Sequence, residues 1–219
     1  MPRLLFEKTG NAIWISHLDL MRLFQRAFKR AGLPLTHTHG FNPRPSVSIA
    51  LPLSVGVESN CELLDFDLDG QTVTMEDMVT RLNQSLVAGV KVRQAYEGGR
   101  KIKDISLLNC VVSLEYDRGV PAEALAAITE LFTRDSVVVP KKTKSGIQDQ
   151  NIIPMIRRID SMQTDDHTIE LNCMIHCQNP SLNPAQLVSA IQIYLPQFTP
   201  DFAKSRRLEV YDLQENIFR

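Results

Sequence analysis

Twice along the 219-residue chain the apolar spacing changes in the same order, from every second residue to every third or fourth and back. Spacing of two belongs to strands and spacing near 3.6 to helices, so the pattern fixes an order of elements before any motif is read. Arg3 to Lys8 reads as a short strand, and Asn11 to Ile15 continues extended. A helix then runs from the Ser16 cap to about Ala31, with Leu20, Leu23, Phe24, Ala27 and Ala31 on one face and Met21 and Phe28 beside it. Asp19 completes the cap, and Gly32 and Pro34 close the helix. Val47 to Leu51 is a second strand, and Leu64, Phe66 and Leu68, alternating with Asp65 and Asp67, a third. Thr74 and Asp77 cap a helix carrying Met78, Val79, Leu82 and Leu86. Val90, Val92 and Tyr96 mark a fourth strand after Gly89.

The second half repeats that order. Leu108, Cys110, Val112, Leu114 and Tyr116 mark a strand, and Pro121 opens a helix with Leu125, Ile128, Leu131 and Phe132 inward. Val137 to Val139 is a short strand, and Ile169 to Cys177 alternates clearly. Asn183 caps a helix with Pro184 at its first position. Leu208 to Leu213 closes the chain as a strand. The expected fold class is therefore α+β, as tandem duplicated ferredoxin-like (βαββαβ) domains over residues 1–98 and 104–219. The glycine- and lysine-rich run Gly98 to Lys103 joins them. Residues 140–166 read as an inserted basic loop, with Lys141, Lys142 and Lys144 at a flexible tip and Ile152 to Ile159 as its anchor. Loops longer than about 12–15 residues are usually functional or mobile.

The first helix is basic on the side away from its apolar face. Arg22, Arg26, Lys29 and Arg30 stand at successive helical spacings, with Asp19 the one helical counter-charge. The segment after it carries His37, His39, Phe41, Asn42 and Arg44, and Pro43 and Pro45 hold the Arg44 backbone extended. Four cations on a helix and a guanidinium on a stiff loop suit an anion, phosphate above all. The expected anion- or nucleic-acid-binding set is thus Arg22, Arg26, Lys29, Arg30, His37, His39, Asn42 and Arg44, with Lys141, Lys142 and Lys144 closing over the bound strand. Such contacts position a backbone without reading bases. Phe41 is the one candidate stacker in the loop, which does not support base readout.

SHLDLMR (residues 16–22), GFNPRPSVSIALPLSVGVES (residues 40–59) and, less strongly, KTKSGIQDQNIIPMI (residues 142–156) resemble the signature of the radical-SAM-linked domain family, a bacterial family of unknown molecular function. The resemblance implies a radical SAM protein as partner and supplies little chemistry of its own.

Charge distribution refines this. The net charge of −1 excludes a molecule that is basic as a whole. Residues 1–50 carry seven basic against two acidic residues, and residues 51–77 carry seven acidic residues and no Lys or Arg. Glu58, Glu62, Asp65 and Asp67 are the expected face for docking the partner. The opening MPRLLFEKTG has too short an apolar run for a signal peptide, so a cytoplasmic location is expected, with the four cysteines as reduced thiols.

Catalytic and metal readings are weaker. Cys173 and Cys177 evoke the start of a CxxxCxxC cluster motif, but residue 180 is Pro. On a strand the two would lie ~13 Å apart. His17, His37 and His39 match no structural zinc spacing. No Walker loop, dinucleotide fingerprint or nucleophile elbow is present. The sequence thus points to a non-catalytic RNA-binding or substrate-presenting accessory protein acting with a radical SAM enzyme in tRNA or rRNA modification or processing, without a metal or cofactor. The alternatives are a protein–protein adaptor without RNA contact, and a metal-independent endoribonuclease using the histidines.

Overall fold

The computed structural model describes residues 1–39, 41–70, 73–143 and 146–219. It divides into two compact units, Met1–Ile102 with Arg219, and Lys103–Phe218. Both are α+β with antiparallel pairing throughout, and they contain four α-helices among the described residues.

The first unit runs β1 (Pro2–Lys8), α1 (His17–Arg30), β2 (Val47–Ile49), β3 (Glu58–Phe66), α2 (Met75–Ser85) and β4 (Val90–Glu97). Its strands lie side by side as β4-β1-β3-β2. The helix termini follow from their caps. Ser16 Oγ accepts from the Asp19 amide at 3.2 Å and donates to its carboxylate at 2.7 Å, and Thr74 Oγ1 accepts from the Asp77 amide at 3.2 Å. The apolar face of α1 is wholly buried at Leu20, Phe24, Ala27 and Phe28. Phe24 meets Phe6 of β1 edge-on at 4.7 Å between ring centres, and Phe28 meets Phe66 of β3 at 5.0 Å. These contacts fix which side of α1 faces water.

One expectation fails between β1 and α1. Residues Gly10–Trp14 are not extended but form a 3₁₀ turn. Gly89 explains the tight approach: its φ is +85°, and a side chain there would run into the Thr9 carbonyl.

The second unit runs β5 (Leu107–Glu115), α3 (Ala124–Phe132), β6 (Val138–Thr143), β7 (Gly146–Asn151), β8 (Ile156–Asp165), β9 (Thr168–His176), α4 (Pro184–Tyr194) and β10 (Phe202–Tyr211). Its sheet is ordered β10-β5-β9-β8, while β6 and β7 pair only with each other. Asn183 and Gln186 form a reciprocal capping box at the start of α4. Residues 140–166 are therefore not a loop. They hold most of a β-hairpin and a ten-residue strand, β8, which takes the sheet position expected of Val137 to Val139.

Candidate functional site

Arg22, Arg26, Lys29 and Arg30 are all exposed, on the side of α1 opposite Leu20, Phe24 and Ala27. At 3.6 residues per turn, the four fall within about two and a half turns, more than one cation per turn. Arg22 is the one of the four with an acidic partner among the described residues: Nη1 lies 3.0 Å from Asp19 Oδ1, both side chains well exposed. A solvent-exposed pair of this kind is weak and exchangeable. The Ser16 hydroxyl and then Arg22 hold the Asp19 carboxyl below its usual range. Arg30 Nη2 donates to the Ser85 carbonyl at 2.6 Å, tying the end of α1 to the end of α2. Arg26 and Lys29 extend into solvent.

After α1 the chain forms a hairpin between Thr36 and Ser46. The Ser46 amide donates to the Thr36 carbonyl at 2.8 Å, and the Thr38 amide to the Arg44 carbonyl at 2.8 Å. The Arg44 amide donates to Thr38 Oγ1 at 3.1 Å. Two anchors fix the base to Asp67, the residue after β3: the Thr36 amide donates to the Asp67 carbonyl, and the Asp67 amide to the Ser46 carbonyl. His37, His39, Asn42 and Arg44 lie between these bonded ends and are all exposed. Phe41 at its tip is fully exposed.

The structure adds a residue that sequence reasoning missed. Trp14, the single tryptophan of the chain, ends the 3₁₀ turn and is 66% exposed, as is Leu18, the second residue of α1. The mount is rigid. Buried Lys8 donates through Nζ to the carbonyls of Ile13 at 3.1 Å and Ile15 at 2.8 Å, on either side of Trp14. The Gly56 amide also donates to Ile13 at 3.0 Å, and the indole lies against Gly56, where a methyl group would stand 3.6 Å from Cζ3. Apolar periodicity could not have marked Trp14, because an exposed and a buried aromatic look alike in it.

Other expected site residues fare differently. The acidic docking face does not form as expected. Glu62 is 2% exposed, because β3 is buried on both faces from Cys61 to Leu64. Asp65 binds Arg3, with Nη2 at 3.1 Å from Oδ2. Glu58 accepts from the Gly10 amide at 3.2 Å, and Asp67 is left exposed. Lys141 is no flexible tip: on β6, its Nζ donates to the Ser181 carbonyl at 2.8 Å and hydroxyl at 3.2 Å. Lys142 is exposed on the same strand of the second unit, and Lys144 lies outside the described residues.

The thiols are structural. Cys173 of β9 stands directly opposite Cys110 of β5, both buried, and hydrogen bonding with Cys110 and then burial push its pKa far up. Burial raises Cys177 to about 12. His17 is half-buried at the first turn of α1, and its buried Nδ1 has no hydrogen-bond partner among the described residues. Among those residues no group of three His, Cys, Asp or Glu side chains is placed to hold a metal ion. Among the described residues no helix is long and apolar enough to cross a membrane.

Fold and site together define a class: an α+β protein that presents a basic helix face and a polar hairpin on its N-terminal unit. The chain belongs to the family described as "Uncharacterized protein conserved in bacteria (DUF2344)", which matches residues 2–184. No curated protein matches it. Among solved structures it is similar to a chain of the "Crystal Structure of a Cbf5-Nop10-Gar1 Complex", at 7% identity and a TM-score of 0.54 over 95% of this chain and 48% of that one. The chain thus spans about half the length of that neighbour. It also aligns with the "Crystal Structure of an Unknown Protein from Galdieria sulphuraria", at 9% identity over 94% and 96% of the two chains. The TM-score there is 0.26, too low to argue from.

Proposed function

We propose that this protein is a non-catalytic RNA-binding module that holds RNA for a partner enzyme. The observation that carries the reading is the exposed cationic row on α1, where one of four charges has an acidic partner among the described residues. A helix face of this kind gains by meeting a polyanion, because each Lys or Arg set on a phosphate releases condensed counterions. The hairpin of residues 36–46 adds Arg44, Asn42 and two imidazoles on a hydrogen-bonded support. Lys141 has no part in this reading, since its ammonium is bound to Ser181.

The reading of both units as duplicated ferredoxin-like folds is part of the same proposal. It is supported by a shared strand order: β4-β1-β3-β2 in the first and β10-β5-β9-β8 in the second, with β6 and β7 as an insertion. The partner follows from the resemblance of residues 16–22 and 40–59 to radical-SAM-linked proteins, and the shared compartment would be the cytoplasm. If the tagged chain fails to retain the radical SAM protein of its own genome on co-purification, the partnership is wrong.

The binding claim is tested by anisotropy of labelled tRNA and rRNA fragments with the full chain. Reversing Arg26→Glu and Lys29→Glu together is expected to weaken binding at least tenfold at low salt without lowering the melting temperature, because both side chains are exposed. Unchanged affinity in the double variant would remove α1 from the interface.

A further inference from the structure

The geometry points to Trp14 as a stacking platform for an unpaired base, so that the ligand of the basic helix is a single-stranded rather than a fully duplex nucleic acid. This rests on the RNA-binding reading above and narrows it. Three observations carry it. First, the indole is 66% exposed, although an indole left in water forgoes a large apolar burial. Second, its position is held by a buried ammonium. Lys8 is 1% exposed, and its Nζ meets the carbonyls on either side of Trp14. Withdrawing a lysine from water to fix the backbone around an exposed side chain serves presentation of that side chain. Third, the turn that carries Trp14 leads directly into the basic helix: α1 begins three residues later at His17, and Leu18, Arg22, Arg26 and Arg30 stand four residues apart along its exposed side.

An exposed aromatic on the turn that precedes a cationic helix face matches the two needs of a single strand, a flat apolar face for the base and positive charge for the backbone. A duplex keeps its bases stacked on one another and would use the charges alone. Val55, the chain neighbour of Gly56, is also exposed, at 52%.

Because Trp14 is the single tryptophan, its emission reports on this position alone. The full chain is titrated with a twelve-nucleotide oligouridylate at low salt, following indole emission and the anisotropy of the labelled strand in parallel. The expected result is saturable quenching with the same midpoint as the anisotropy change. Inorganic polyphosphate should give no quenching. Trp14→Ala should weaken oligouridylate binding about tenfold while leaving binding of a blunt duplex unchanged, with Trp14→Phe in between. Binding without quenching, and with equal affinity in Trp14→Ala, overturns the platform and leaves the RNA-binding reading standing. Absence of binding to any RNA overturns both. An emission shift with phosphatidylglycerol vesicles and none with RNA assigns the patch to a lipid surface and also overturns it.

Discussion

Ser16 and Asp19 set where α1 begins, and so where its cations stand. The hydroxyl accepts from the Asp19 amide and donates to its carboxylate, and Arg22 closes on the same carboxylate. Ser16→Ala is expected to cost about 1 kcal/mol of stability by chemical denaturation. The pH dependence has a definite sign. The folded carboxyl is held low, so its contribution is complete above the ordinary aspartate value of about 3.9 and disappears as pH falls through the lower folded value. The stability gap between the natural protein and Asp19→Asn should therefore shrink on acidification below about pH 4. A gap that persists unchanged at the acid end would show that the carboxylate is not what stabilises the cap.

At the scale of elements, α1 and α2 were legible because each combines a capping residue with a strong apolar period, and α4 because Asn183 and Pro184 mark its start. β8 was not. Its sequence, IRRIDSMQTD, has few apolar residues, and its pairing with β9 is broken by register shifts at both ends. The hairpin β6–β7 was hidden for a related reason: its lysines read as a solvated tip, whereas Lys141 reaches back to Ser181. Lys141→Met is accordingly expected to lower stability by about 1 kcal/mol and to leave RNA affinity unchanged, as read by a melt and an anisotropy titration of the same sample. Lost affinity with an unchanged melt would restore that lysine to the binding surface. The acidic strand misled in the opposite direction. Glu62 was expected on the docking face for its charge, although it shares the parity of Leu64 and Phe66, and both faces of β3 are buried there.

For the molecule as a whole, net charge of −1 hides a separation of charge along the chain. The first fifty residues were legible as the basic part, and the structure leaves their helix face open to solvent. What the sequence could not supply was the aromatic beside it, because exposure of Trp14 is set by the turn at Gly10–Trp14 and the buried Lys8. The central claim is that α1 binds a polyanion through its charges. Anisotropy of one labelled single-stranded RNA, measured with the full chain from low to moderate salt, tests it most directly. Two to four phosphate contacts predict a linear rise of log Kd with log salt, with a slope between about 1.5 and 3. Tight binding with no salt slope, or none at the lowest salt, would contradict the account.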